Sequence, residues 1–203
     1  MIYLIRHGEP AFPDGKRFCL GRMDLPLSAA GQEQAEQVGL YLQRKLPNAR
    51  IVSSPLLRCR QTAGPAGLPY EICPELAEVD MGCWTGLPFD EIRLRWPELY
   101  ERRGRDPLYI SPPGGETMSQ CGTRVTACLR RLLEEKPEKD LVIIAHSGVN
   151  RMLQAALTGT KLPEVMNYGT ITGVTWQREH FRVAFSGQAP EVLIQQEINY
   201  GEE

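Results

Sequence analysis

Two histidines and two arginines, at the ends of short apolar runs, are the residues most able to do chemistry here. His7 directly follows Arg6, Arg58 follows Ser53-Ser54-Pro55-Leu56-Leu57, and His146 closes the run Leu141-Val142-Ile143-Ile144-Ala145. A guanidinium presents a planar fork of donors and stays charged, so two arginines converging make a cradle for a phosphoryl group. Among such cations an imidazole is kept neutral, and its free nitrogen can act as a nucleophile. The implied product is a phosphohistidine. A second imidazole, if protonated, adds positive charge where the transferring oxygens need it. The leaving alkoxide also needs a proton. A carboxyl with a pKa raised by partial burial supplies one and recovers it from the attacking water. Glu78 and Asp80 both qualify by residue type. None of these roles requires a metal or a cofactor.

Each residue also has a plainer reading. His7 taken alone is an ordinary hydrogen-bonded residue at a strand end, and Arg58 and Glu78 make a plausible ion pair. The functional reading rests on the combination. His180, the third histidine, falls in a predicted hairpin turn and reads as a solvated surface residue.

The elements that must position these groups follow from periodicity. Ile2–Ile5 is a short continuous apolar run, the pattern of a strand buried on both faces. Ser28 is a good N-cap for a helix carrying Ala35, Val38, Leu42 and Leu46, which Pro47 ends. Arg50–Ser53 predicts a second strand, and Pro55 the first turn of a helix bearing Arg58. Thr117 and Gln120 form a capping-box pattern ahead of a helix running to Lys136, closed by Pro137. The Leu141–Ala145 run predicts a central strand, followed by a helix through Val149, Met152, Leu153 and Ala156. Ile171–Trp176 and Phe181–Phe185 alternate about a turn at Arg178–His180, predicting an antiparallel edge hairpin. Residues 69–113, rich in proline and glycine, read as an excursion with short helices rather than a further layer.

This order predicts a three-layer α/β/α sandwich with a mostly parallel central sheet, an antiparallel edge and a helical lid, in a single domain over residues 1–203. Ligands in such folds gather beyond the carboxyl ends of the strands, and three of the strand ends carry the residues above. Arg93, Arg95, Arg102, Arg103 and Arg105 crowd the excursion among acids, which suits a solvated, charge-paired face. The sharper alternative is that one or two of them, with Trp84 or Tyr109, line a substrate-selecting lid. With Gly21 and Arg22 of the glycine-rich loop, Trp84 and Tyr109 are the lid candidates.

Of 203 residues, 42% are hydrophobic and 24% charged, as in a globular protein. The 23 basic and 25 acidic side chains leave a net charge of -2, which argues against nucleic acid or an anionic membrane as partner. A small-molecule phosphomonoester is the expected partner, with the chain a monomer or homodimer. No apolar run suits a secretory signal or a membrane span, so the expected location is the cytoplasm. The six cysteines form no C-x-x-C pair and are expected to be reduced, with Cys59 a packed thiol unless exposed.

Several motifs resemble those of the histidine phosphatase superfamily, which includes phosphoglycerate mutases. Leu4-Ile5-Arg6-His7-Gly8-Glu9 is similar to its signature, and Gly21 to Ser28 to its loop entering the first helix. Ser53 to Ala63 is similar to the segment with the second phosphate-binding arginine, Leu76 to Gly86 to that of the general acid, and Ile144 to Val149 to the closing motif. The resemblance implies a phosphorylated nucleophile at His7, phosphate contacts from Arg6, Arg58, His146 and Ser147, and the general acid at Glu78. Glu78 is preferred to Asp80 because the family's acid lies four residues before a glycine, here Gly82. Pro10, Ser147 and Thr85 stand where many members carry Thr, Gly and Glu. The chain also lacks the mutases' longer insertion with its basic pair, which favours hydrolysis over a cofactor-dependent phosphoglycerate mutase. Gly-rich and Pro112–Glu116 segments resemble those of small bacterial members such as α-ribazole phosphatases, making α-ribazole 5'-phosphate the specific expectation. An alternative of another class is a regulatory protein that binds a phosphate ligand without turnover.

Overall fold

Strand pairing brings the reactive strand ends together. The computed structural model describes residues 1–135, 139–177 and 179–196. Its elements in chain order are β1 (Ile2–Arg6), α1 (Ala29–Lys45), β2 (Arg50–Ser53), α2 (Leu57–Ala63), β3 (Tyr70–Ile72), α3 (Phe89–Arg95), α4 (Pro97–Arg105), α5 (Met118–Glu135), β4 (Leu141–Ala145), α6 (Ser147–Thr158), β5 (Ile171–Gln177), β6 (His180–Gln188) and α7 (Pro190–Gln196). The sheet order is β3-β2-β4-β1-β5-β6. The first four of these run parallel, β5 is antiparallel to β1, and β6 is antiparallel to β5.

Because β4 is apolar at every position and β1 at every position before Arg6, successive side chains feed two cores. Ile2, Leu4, Leu141, Ile143 and Ala145 face the core shared with α5 and α6, whereas Tyr3, Ile5, Val142 and Ile144 face the one shared with α1 and α2. Helices therefore cover both faces of the sheet, giving the three-layer sandwich its central strands require. Truncating Leu153, which is fully buried in the first core, costs about 2–5 kcal/mol.

The caps explain where the long helices begin. Ser28 accepts the Gly31 amide at 3.0 Å. Thr117 and Gln120 exchange side-chain and amide hydrogen bonds at 2.8 and 3.1 Å, closing the capping box ahead of α5. The expected end of that helix at Lys136 and Pro137, and the turn residue Arg178, lie outside the described residues.

Two elements differ from the sequence expectation. The excursion does not start at residue 69, because Tyr70–Ile72 joins the sheet as parallel edge strand β3 beside β2. Three residues are too short to show a period. Pro55 also lies outside α2, which starts at Leu57 after an extended Leu56. The Asp24 carboxylate accepts the Leu57 amide at 2.5 Å and supplies the start that proline does not. Beyond β3 the excursion holds α3 and α4, which pack Ile92, Trp96, Leu99 and Tyr100 around Trp84 and Cys19.

Candidate active site

Register levels the strand ends. Arg6 pairs with Ala145 and Ser53 with Ile144, so His7, His146 and Ser54 lie one step beyond the same sheet edge. The ladder continues through the His7 amide to the Ala145 carbonyl at 3.1 Å and the Ser54 amide to the Ile144 carbonyl at 3.0 Å. The imidazole rings of His7 and His146 stand edge to face with centroids 5.1 Å apart.

Hydrogen bonds fix the state of His7. Its Nδ1 lies 2.7 Å from the Gly8 carbonyl, an acceptor, so Nδ1 carries the proton. Nε2 accepts from Arg58 Nε at 3.2 Å and is therefore the nitrogen with the lone pair. Burial pushes the imidazole well below its usual pKa, and Arg58 and then Arg6 add to the effect. His146 is displaced the same way, by burial first and then by Arg58. Both rings are thus neutral near pH 7 in the free site, so the condition attached to the second imidazole, that it be protonated, is not met there. A bound phosphoryl dianion acts in the opposite direction on both. Ser54 Oγ holds His146 Nε2 at 2.7 Å, and Cys59 Sγ packs 3.5 Å from the same nitrogen. Burial raises the Cys59 thiol far above its ordinary value, so it is a packed, inert sulfur.

The arginines are held by carbonyls. Arg58 donates to Met23 at 2.7 Å and Gly21 at 3.0 Å, and is 1% exposed. Arg6 bonds the Met166 carbonyl, and its guanidinium carbon lies 3.8 Å from the Tyr168 ring centroid. Its Nε is buried with no hydrogen-bond partner. Neither arginine has a carboxylate partner within ion-pair distance among the described residues, so both keep an unneutralised charge facing the same space.

Glu78 faces them. Its side chain accepts the Val79 amide at 2.9 Å and the Gly148 amide at 3.4 Å, and its backbone carbonyl is held by Arg22 and Arg124. Gly148 has a steric reason to be glycine: a Cβ there would lie 2.6 Å from Glu78 Oε1 and from Val79 Cγ2. Asp80 points elsewhere, capping the Gly82 amide at 2.9 Å and pairing with Arg22 at 3.4 Å. The two acids that sequence left open are thus separated by geometry, and no Arg58–Glu78 ion pair is present among the described residues.

These groups surround a cavity of about 390 Å³, lined by Arg6, His7, Arg58 and Glu78 at one end. Phe12, Phe18, Leu20, Met81, Phe89 and Tyr168 make the rest of the wall largely apolar. Gly21 and Arg103 also line it. The other lid candidates do not. Arg22 is engaged with Asp80 and Glu116, Trp84 is buried against Trp96 and Tyr100, and Tyr109 is exposed. Ser147 opens α6, but its neighbour Gly148 is the cavity residue.

Of the excursion's arginines, Arg93, Arg95 and Arg105 pair with Asp90, Glu91 and Glu101 as a solvated face should. Arg103 instead turns inward, with its Nε buried and without a partner. Residue type had put it among five equals, and helical phase was the signal that could have singled it out. Tyr168 was missed altogether. It reaches His7 only because β5 pairs with β1, bringing the Gly169 amide to the Arg6 and His7 carbonyls at 3.1 and 3.2 Å.

The three-layer α/β fold brings two guanidinium groups without an ion-pair partner among the described residues, and two neutral imidazoles, to one edge of its parallel strands. The chain belongs to the histidine phosphatase superfamily (branch 1), whose family model matches residues 2–188. Bifunctional protein Rv2228c of Mycobacterium tuberculosis is 32% identical over 161 residues, 77% of this chain. The chain spans only 44% of that relative's length. Phosphoserine phosphatase 1 of Hydrogenobacter thermophilus is 28% identical over 172 residues, covering 83% of this chain and 81% of the relative. The solved α-ribazole phosphatase from Shigella flexneri superposes with a TM-score of 0.81 at 25% identity, covering 93% of this chain and 96% of its own.

Proposed function

We propose that this protein is a phosphatase that hydrolyses small phosphomonoesters through a phosphohistidine on His7. The observation that carries the reading is the His7 tautomer: Nδ1 is tied to Gly8, and the lone pair on Nε2 faces Arg58, with the charge of Arg6 also acting on the ring. Arg6, Arg58 and His146 bind the phosphoryl oxygens, which take over the donor that Arg58 otherwise gives to His7. Nε2 attacks phosphorus, the P–O bond to the alcohol breaks, and Glu78 gives its proton to the leaving oxygen. Water then attacks the phosphohistidine, returning a proton to Glu78 and releasing phosphate. Catalysis here consists of positioning and charge stabilisation, and no step is assigned to a metal ion.

The substrate we favour has a flat, apolar alcohol portion, for which the Phe12, Phe18 and Phe89 wall is suited. In α-ribazole 5'-phosphate the benzimidazole base carried by the ribose supplies such a flat apolar surface, and the similarity to the Shigella flexneri enzyme supports this substrate. Arg103 favours a second reading, in which the alcohol carries its own acidic group, as in phosphoserine or a phosphoglycerate. A mutase would return the phosphoryl group to such a substrate rather than to water. The test is a phosphate-release panel with α-ribazole 5'-phosphate, phosphoserine and both phosphoglycerates, assayed with and without bisphosphoglycerate. Release from one substrate class supports hydrolysis. Interconversion of the phosphoglycerates without release identifies a mutase, and silence across the panel identifies a phosphate-binding regulator.

A further inference from the structure

The structure points to a second reactive centre remote from the phosphate pocket: we propose that Cys73 and Cys128 form an oxidisable dithiol that closes to an intramolecular disulfide. Cys73 immediately follows β3, and Cys128 lies on the buried face of α5. Their sulfurs are 2.8 Å apart, inside the contact distance of two unlinked sulfurs, and must approach by less than about 1 Å to bond. The Arg131 guanidinium lies 3.9 and 3.8 Å from the two sulfurs. The negative charge of the pair rests on Cys128, whose thiol pKa is lowered first by the hydrogen bond with Cys73 and also by Arg131, while the same bond and burial push Cys73 up. Access exists as well. Cys73 lines an open cavity of about 120 Å³ with Arg50, Glu71 and Arg131, which is roomy enough for a peroxide.

Glu75 makes this group resemble a metal site, since its carboxylate lies 3.3 Å from the Cys73 sulfur. Two observations disfavour a cation. Arg131 already neutralises Glu75 at 2.8 Å, and the same arginine occupies the neighbourhood of both sulfurs. Three donors also fall short of the four a closed zinc site requires.

With hydrogen peroxide as oxidant, Cys128, which starts as the thiolate after releasing its proton to solvent, takes the Cys73 proton, and the Cys73 sulfur attacks one peroxide oxygen. The S–O bond forms, the O–O bond breaks, and the departing hydroxide takes up a proton as water. The Cys128 sulfur then attacks Cys73. The S–S bond forms, the S–O bond breaks, and hydroxide leaves with the Cys128 proton as a second water. Two thiols lose two electrons and peroxide gains them.

The bond would clamp a segment that matters. Only four residues separate Cys73 from Glu78, and Arg124, one turn before Cys128, already donates to the backbone carbonyls of Glu75 and Glu78. A covalent link closes a 55-residue separation and fixes the strand-to-Glu78 connection onto α5.

The experiment treats the full-length protein with hydrogen peroxide, blocks remaining thiols under denaturing conditions, and maps peptides by mass spectrometry. Expected are a Cys73–Cys128 peptide pair lighter by two hydrogens, a melting temperature raised by about 5 °C or more, and reversal of both by dithiothreitol. Cys73→Ser and Cys128→Ser should abolish the shift. Should either variant fail to fold, dithiothreitol reversal in the unaltered protein remains the control. Six blocked thiols after treatment, a link between another pair, or oxidation confined to exposed Cys83 overturns the proposal. So does stoichiometric uptake of zinc from added zinc sulfate with loss of peroxide reactivity, which identifies a metal site instead.

Discussion

Replacing Gly148 with alanine tests the placement of Glu78 without touching any group that binds phosphate. The new methyl carbon would lie 2.6 Å from Glu78 Oε1 and from Val79 Cγ2, against ordinary contacts beginning near 3.4 Å. Relief requires a shift of roughly 0.8–1 Å, and the carboxylate, being the end of a flexible side chain, moves before α6 does. That shift also breaks the 3.4 Å bond from the Gly148 amide. A misplacement of about 1 Å in a reacting group costs about 100-fold in rate, or about 2.7 kcal/mol of barrier. Overpacking costs about 1–3 kcal/mol of stability, lowering the melting temperature by about 2–10 °C. The assay compares kcat/KM for an alkyl phosphate, whose leaving oxygen needs a proton, with that for p-nitrophenyl phosphate, which needs little help. We expect a loss of about 100-fold on the first and under about 10-fold on the second. Equal losses on both, or an unchanged alkyl rate with an unchanged melting temperature, would refute the role of Glu78.

Arg103→Met should raise KM about 10-fold for a phosphate ester whose alcohol carries a carboxylate, and leave neutral-alcohol esters within about 2-fold. Similar KM changes for both would show that Arg103 serves only packing. Tyr168→Ala should weaken vanadate binding about 5- to 10-fold by freeing Arg6, whereas Tyr168→Phe, which keeps the stacked ring, should bind as well as the parent; matching losses would implicate the hydroxyl instead. The two imidazoles also predict a pH effect. Their folded pKa values lie below the unfolded value of about 6.5, so the unfolded chain binds more protons in acid. Stability is therefore full above about pH 6.5 and lost as pH falls below it, by up to about 2.7 kcal/mol per unit when both contribute. Urea unfolding between pH 7.5 and 5 should show this slope, and His146→Asn should halve it; an unaltered slope in that variant would remove His146 from the account.

Much of the architecture was written in runs of sequence that depend on their own residues. Leu141–Ala145 is apolar at every position because both of its faces are covered, and Ser28 and the Thr117–Gln120 pair cap helices through purely local bonds. Strand β3 was not legible, since three residues at an edge need the neighbouring β2 to become a strand. The same distinction holds at the cavity. Arg6, His7, Arg58 and His146 stand out by type at strand ends, while Tyr168 reaches His7 only through antiparallel pairing across 160 residues of intervening chain. Trp84 shows the converse. Its type suggested a substrate contact, yet the helices of the excursion need a core, and the largest aromatic supplies it. The overall charge of -2 likewise says nothing of two arginines that fold into one acid-poor pocket.

The phosphohistidine on His7 is the claim on which the rest depends, and rapid-quench labelling tests it most directly. Phosphate-labelled substrate, quenched in base during turnover, should leave acid-labile, base-stable label on a peptide containing His7, and none on His7→Ala. Label on any other residue, or turnover by folded His7→Ala at an undiminished rate, would contradict it.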